Sequence, residues 1–170
     1  MGLVTLLILS CTSKSLQHKI HFGLNSCFEL ESGEKEVYAD QYSEKYYKTN
    51  FESKGLHLAF NKIIRKSDDE YIFICIAIDK NVDEVSLIIN SDSTISNKLN
   101  LNNGLNIGNV SDYSVTIGSR NNYWLYYFVY FDNQLKQPIV IIHCSKDKDY
   151  IINYFSSNIN ISKRLNCETN

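Results

Sequence analysis

Proline is nearly absent from this chain of 170 residues, which contains one Pro, seven Gly and three Ala. These low numbers exclude a collagen-like chain and proline-rich linkers. Neither sign of charge dominates, because 17 Lys and Arg residues are balanced by 19 Asp and Glu residues, for a net charge of -2. A chain so balanced lacks the basic surface that DNA or RNA binding requires, and we expect no nucleic-acid partner. Hydrophobic residues make up 44% and charged residues 21%, which is typical of a globular domain.

The chain also lacks an apolar run long enough to cross a membrane as a helix. The N-terminal run at residues 2–9 is far shorter than the roughly 20 residues that a spanning helix needs. It leads directly into Ser10 and Cys11. The tetrapeptide Ile8-Leu9-Ser10-Cys11 resembles the lipobox of bacterial lipoproteins, and the resemblance covers residues 1–11 only.

In bacterial lipoproteins the chain is cut before the lipobox cysteine, whose sulfur receives a diacylglycerol. The resemblance therefore implies lipidation of Cys11 and a membrane partner through the lipid anchor. It also implies a place in the bacterial cell envelope, facing the periplasm or the cell surface. No Lys or Arg precedes the apolar run, whereas export signals begin with positive charge, and a start codon further upstream would supply it. The alternative is a buried first strand in which Cys11 has no special role.

These features divide the chain into four parts. Residues 1–10 are a signal-like segment, and residues 11–18 form a polar tether. Residues 19–160 are a single β-rich domain, and residues 161–170 are a polar C-terminal tail. We expect this tail to be frayed unless Cys167 is bonded.

Acylation of Cys11 would leave an even number of cysteines, which suits a compartment that permits disulfides. A bond between Cys27 and Cys167 would tie the two ends of the domain together. Four cysteines allow three connectivities, so this pairing is a prediction. Cys75 lies inside an apolar run, where a cysteine usually acts as a small buried hydrophobe.

Short apolar or alternating runs separated by polar turns dominate the second half of the chain. Residues 34–48 instead carry Tyr38, Tyr42 and Tyr46 at four-residue spacing, which predicts a short amphipathic helix. A polar turn at residues 66–70 favours a hairpin formed with the strand before it. The later predicted strands are residues 71–78, 85–90, 113–117, 123–131, 139–144 and 150–155. This order predicts a mostly β fold, either an antiparallel sandwich or barrel with one short N-terminal helix. The alternative is an α+β fold with a helix packed on a curved antiparallel sheet.

Signals for catalysis and metal binding are weak. His143 and Cys144 are neighbours on a predicted strand, so their side chains point to opposite faces and cannot act as a pair. Residues 79–83 begin like a calcium-binding loop, but Glu84 stands where the loop needs Gly. An ordinary polar turn between two strands explains this segment better. We therefore assign no catalytic residue, no metal ligand and no cofactor.

The most unusual segment is the aromatic run at residues 123–131. On a strand, Trp124, Tyr126 and Tyr130 share one face, and apolar residues also line the other face. One interpretation is a central strand buried on both sides. In the other, the face with Trp124, Tyr126 and Tyr130 is partly open and its rings contact a sugar or a partner surface.

The sequence thus predicts an exported, lipid-anchored envelope protein that acts as a binding or interaction module for a protein or glycan partner. The alternative is a small extracytoplasmic hydrolase that uses His57 or His143 with a carboxylate. A deep polar cleft with one of these histidines beside Asp or Glu would favour the enzyme.

Overall fold

A computed structural model describes residues 19–23, 26–38, 54–100, 113–155, 161, 164 and 165. In chain order the strands are β1 (Lys19–His21), β2 (Cys27–Glu29), β3 (Lys35–Val37), β4 (His57–Ser67), β5 (Glu70–Ile78), β6 (Ser96–Asn100), β7 (Tyr113–Arg120), β8 (Tyr123–Asp132) and β9 (Gln137–Ser145). The helices are α1 (Val82–Ser91), between β5 and β6, and α2 (Lys148–Phe155), after β9. The fold is mostly β, as the sequence predicts.

Seven of the strands form one sheet in the order β3-β4-β5-β9-β8-β7-β6, and every neighbouring pair is antiparallel. Within the described residues this sheet is open, with β3 and β6 at its edges. β1 and β2 form a separate antiparallel hairpin. The hairpin predicted around residues 66–70 is confirmed, because β4 and β5 pair across it.

One face of the sheet packs against α1. The helix contributes Val82, Val85 and Ile89, which recur at helical spacing and are buried. They meet alternate residues of the sheet, including Phe73 and Tyr127. Burial of this apolar surface is the main force that holds α1 in place.

The opposite face, called here the second face, has three covering pieces. The β1–β2 hairpin contributes Ile20 and Phe28, α2 contributes Ile151, and Ile161 comes from the C-terminal segment. The buried position of Ile161 differs from the frayed tail that we expect from composition.

The aromatic run forms β8, near the middle of the sheet. Leu125, Tyr127 and Val129 belong to the core under α1, whereas Tyr126 and Phe128 belong to the core of the second face. Alternate side chains of one strand thus enter opposite cores, as the period of two requires. This arrangement matches the interpretation of a central strand buried on both sides.

Two segments predicted as strands are helices. Residues 85–90 lie within α1, whose start is fixed by a capping box between Asn81 and Glu84. Residues 150–155 lie within α2, where Asp147 accepts a hydrogen bond from the backbone N–H of Tyr150. In both places a polar residue at the helix start outweighs the β-branched composition of the run.

The predicted N-terminal helix at residues 34–48 is wrong at its beginning, because Lys35–Val37 form β3 and pair with β4. Residues 39–48 lie outside the described part. Among the described residues, no helix has the length and apolar character that crossing a membrane requires.

Candidate functional site

The cysteines fall into two groups. Cys75 and Cys144 are free thiols, fully buried in the core under α1, which confirms the predicted role of Cys75 as a small hydrophobe. Burial raises the pKa of both thiols, so neither is a reactive thiolate. Cys27 is disulfide-bonded. Cys11 and Cys167 lie outside the described residues, so the lipidation of one and the pairing of the other stay predictions.

The structure covers most of the aromatic face predicted as a binding surface. Tyr126 is 0% exposed and Tyr130 is 4% exposed, because both rings pack under the elements that cover the second face. Burial also raises the pKa of both phenols. Trp124 is different, since it remains partly exposed at the end of the strand. Of the three predicted residues, Trp124 alone is therefore open to a partner in this state.

Short polar side chains flank Trp124. The strand register places Ser119 of β7 and Ser145 of β9 directly opposite it, and Ser96 of β6 opposite Ser119. Cross-strand partners share a face, so Ser96, Ser119 and Trp124 form a continuous row, called here the Trp124 row. The Ser119 hydroxyl interacts with that of Ser96 at 3.0 Å and accepts from Asn97 Nδ2 at 2.9 Å.

Lysines lie over aromatic rings around this end of the sheet. Lys148 Nζ is 5.0 Å from the centre of the Trp124 ring, and Lys146 Nζ is 5.5 Å from that of Tyr123. Lys146 also bonds Asp69 at 2.6 Å, and this hydrogen bond lowers the pKa of Asp69. Lysines and carboxylates are mixed on this surface, so neither sign of charge dominates it. A ligand would find aromatic rings and hydrogen-bonding groups there.

His143 and Cys144 point to opposite faces, as predicted. Cys144 lies in the core under α1, whereas His143 is 0% exposed on the second face. There His143 Nε2 lies 3.0 Å from Glu70 Oε1. An ionised carboxylate only accepts, so the histidine donates through Nε2–H.

Burial decides the charge states of this pair. Burial lowers the pKa of His143, and the hydrogen bond to Glu70 offsets only part of that effect. Burial also disfavours ionisation of Glu70, but its hydrogen bond and charge interaction with His143, followed by the charge of Lys66, outweigh burial and lower the pKa of Glu70. At neutral pH the pair is a neutral imidazole beside a carboxylate.

The pair belongs to a longer chain of ionisable side chains, called here the charge chain. Its members are Glu34, Arg164, Glu31, Lys66, Glu70 and His143. Lys66 Nζ is 3.8 Å from Glu70 Oε1 and 3.5 Å from Glu31 Oε2. Arg164 bonds Glu34 directly and lies 3.9 Å from Glu31. The chain thus links strands β4, β5 and β9 to the segment between β2 and β3 and to the C-terminal segment.

Sequence reasoning missed the charge chain. Arg164 and Glu34 lie 130 positions apart, and His143 and Glu70 lie 73 positions apart. No short-range sequence pattern indicates contacts between residues so far apart in the chain. The predicted alternative named His143 with a carboxylate, but the partner Glu70 becomes visible only through the pairing of β5 with β9.

The other candidate histidine is far from this pair. His57 is exposed at the start of β4 and lies opposite Ile78 of β5, whereas His143 lies opposite Ile72. Positions 72 and 78 of β5 are six residues apart, which corresponds to about 20 Å along a strand. The two histidines cannot serve one reaction centre.

The calcium-like segment is the entry to α1 and not a turn between two strands. Asn81 accepts a hydrogen bond from the Glu84 N–H through its side chain, and Glu84 returns one to the Asn81 N–H. Both side chains are thereby used for capping. Among the described residues, no group of three or more His, Cys, Asp or Glu side chains is placed to hold a metal ion.

The site thus offers one partly exposed aromatic ring, that of Trp124, beside a partly buried charge chain. The row can contact a ligand, whereas His143 is enclosed. No protein-family model and no curated protein matches this chain.

Proposed function

We propose that this protein is an exported, lipid-anchored component of the bacterial cell envelope that binds a glycan through the Trp124 row. The observation that carries the binding role is the position of Trp124, a partly exposed ring flanked by serine hydroxyls at the end of the sheet. A glycan is favoured because sugar rings stack on aromatic faces while their hydroxyls bond short polar groups. A protein partner is the other version of the same role.

Export is supported by the disulfide at Cys27. Disulfides persist in oxidising compartments such as the periplasm and the cell surface. The first described strand begins at Lys19, so residues 12–18 are available as a tether between the predicted anchor at Cys11 and the domain. The anchor itself rests on the lipobox-like sequence.

Binding is favoured over hydrolysis because His143 is enclosed. A general base must reach the proton that it abstracts, directly or through one water. His143 is 0% exposed and directs Nε2 at Glu70, so it has no access to a substrate in this state. The pair is better explained as part of the charge chain.

Trp124 provides a direct test because it is the single Trp of the chain. Its fluorescence reports on the row without any label. We expect soluble oligomers of N-acetylated aminosugars to quench or shift this emission in a saturable way. Calorimetry should then show at least about tenfold weaker binding for Trp124→Ala, which corresponds to about 1.4 kcal/mol.

The matched control is Tyr38→Ala, which removes an aromatic ring that is 97% exposed elsewhere on the molecule. We expect this variant to bind like the wild type. Equal affinity of Trp124→Ala and wild type would contradict the proposed site. If no oligosaccharide changes the emission but a photo-crosslinker at position 148 captures an envelope protein, the glycan version is wrong and the protein version replaces it.

A further inference from the structure

We propose that His143 is an acid-sensitive latch that holds the cover of the second face on the sheet. The cover is defined as α2 together with Ile161, Arg164 and Leu165. In this proposal the cover is closed at neutral pH, and proton uptake by His143 in mildly acidic solution favours its local opening. The proposal does not depend on which ligand the Trp124 row binds.

The first support is that His143 contacts the cover directly. The ring of Tyr150, in α2, lies edge-on to the imidazole with the ring centres 5.6 Å apart. Tyr150 also accepts a hydrogen bond from Lys66 Nζ at 3.1 Å, and Lys66 lies over its ring. Glu70 in turn bonds His143 at 3.0 Å. His143 therefore occupies the junction between α2 and the charge chain.

The second support is that the charge chain reaches the rest of the cover. The Arg164 guanidinium stacks 4.0 Å from the centre of the Phe28 ring and donates through Nε to the Glu29 carbonyl at 2.9 Å. Arg164 also pairs with Glu34, whose side chain is fully buried. The charge chain thus connects His143 to Arg164, which contacts the β1–β2 hairpin.

Titratable and charged groups face His143 from several packed elements. They are Glu70 of β5, Tyr126 of β8, Tyr150 of α2, Arg164 of the C-terminal segment, Glu34 before β3 and, through Glu70, Lys66 of β4. Glu70 and Glu34 favour the imidazolium, whereas Arg164 opposes it. Burial opposes it most strongly, so the closed state holds the neutral ring.

The direction of the pH effect follows from this balance. The pKa of His143 is lowered from its ordinary value of 6.5 in the closed state. Below pH 6.5 His143 binds a proton more readily when the cover is open than when it is closed. The closed state therefore loses stability relative to the open state as the pH falls. The equilibrium constant for opening of the cover then rises by up to about tenfold per pH unit, until the pH reaches the pKa of His143 in the closed state. Glu70 acts in the same direction, but only as the pH falls through its ordinary value of 4.5.

Opening would remove one part of the covering of the second face, while the β1–β2 hairpin is the other part. Tyr126, Phe128 and Tyr130 lie on the second face and are at most 4% exposed while the cover is closed. They continue the face of Trp124 along β8. Acid would thus increase the exposure of aromatic side chains that share the face of Trp124.

Hydrogen exchange of the full chain between pH 7.5 and 5.0, corrected for the intrinsic rate, tests the latch. We expect protection of α2 and of peptides containing Ile161 and Arg164 to fall about tenfold per pH unit below pH 6.5, while β7 and β8 stay protected. In His143→Gln, which can still donate to Glu70 but does not titrate, we expect these opening constants to stay within about twofold. His57→Gln, which alters an exposed histidine, is the matched control and should behave like the wild type.

Three results would overturn the proposal. One is a wild-type cover whose protection does not change between pH 7.5 and 5.0. Another is a His143→Gln variant whose protection falls with pH as steeply as that of the wild type. The third is a parallel loss of protection in β7 and β8, which would indicate global unfolding. If His143→Gln does not fold, an NMR titration of the wild-type imidazole decides, because a His143 pKa at or above 6.5 contradicts the latch.

Discussion

Asn121 and Asn122 connect β7 to β8 with φ angles of 49° and 66°. A two-residue hairpin turn of this kind needs positive φ at both central positions, which asparagine tolerates better than most residues. Asn97 also has positive φ, at 52°, next to the Trp124 row. The predicted strands 113–117 and 123–131 leave residues 118–122 between them, whereas in the structure β7 continues to Arg120 and only Asn121 and Asn122 form the turn.

Gly118 of β7 shows how tightly a neighbouring segment can approach the sheet. A Cβ atom at this position would lie 2.3 Å from Ile95 Cγ2 and 3.1 Å from the Ser96 carbonyl oxygen. We expect Gly118→Ala to lower the free energy of unfolding by about 1–3 kcal/mol, because buried Ile95 and the adjacent backbone must both move. Urea denaturation measures the change.

Gly23→Ala is the control for this prediction, since its Cβ would lie 3.2 Å from the flexible end of Leu135. It should cost less than Gly118→Ala. In the double variant with Ile95→Ala, the Gly118 effect should shrink because the clashing methyl group is gone. A Gly118→Ala protein as stable as the wild type would show that β6 is held loosely.

At the scale of single elements, α1 depends on its N-terminal cap. Asn81 and Glu84 exchange two hydrogen bonds between side chain and backbone, at 2.9 and 3.0 Å. We expect Asn81→Ala to reduce stability by about 1 kcal/mol, because the Glu84 N–H loses its acceptor. Thermal unfolding followed by circular dichroism measures the loss.

Asn81→Asp keeps an acceptor at the cap and adds negative charge where the helix dipole favours it. This variant should retain the wild-type stability. Equal losses in Asn81→Ala and Asn81→Asp would indicate that the amide has a role other than capping.

The elements also show what sequence patterns can and cannot resolve. The four neighbouring strands β5, β9, β8 and β7 are apolar or alternating runs, and all four are predicted from the sequence. α1 is not, because its residues 85–90 are rich in Val and Ile, which favour strands. The sequence signal for this helix is the capping box between Asn81 and Glu84, which overlaps the segment that resembles the start of a calcium loop.

The candidate site was predictable to a similar degree. Alternation along β8 places Trp124 with Tyr126 and Tyr130, and alternation along β9 separates His143 from Cys144. Whether a face is covered depends on contacts between distant segments, so burial of Tyr126 and Tyr130 could not be read from spacing. For the same reason, the hydrogen bond between Glu70 and His143 could not be predicted from the sequence.

At the scale of the whole molecule, the cysteines make a combined prediction. Cys27 is disulfide-bonded, and Arg164 contacts the two residues that follow it, Phe28 and Glu29. Cys167 is only three positions beyond Arg164 in the sequence, so we predict that it is the partner of Cys27. That pairing would leave Cys11 available for lipidation.

Peptide mapping under non-reducing conditions, on protein taken from its native membrane fraction, checks both statements. We expect a peptide pair joined through Cys27 and Cys167, and an N-terminal peptide that begins at an acylated Cys11. Cys11→Ser should lose membrane association while it keeps the disulfide. A bond between Cys11 and Cys27 would contradict both assignments at once.

The order of strands in the large sheet has a consequence for folding. β3 to β5 form one local meander and β6 to β9 form another, and the two meet only where β5 pairs with β9. The β4–β5, β7–β8 and β8–β9 hairpins close loops of a few residues. The pairing of β5 with β9 must instead close a loop that contains α1 and three strands, which slows folding. During synthesis β5 is complete long before β9, so the edge of β5 that pairs with β9 lacks its partner strand in the meantime. This interval is when the chain is most exposed to aggregation.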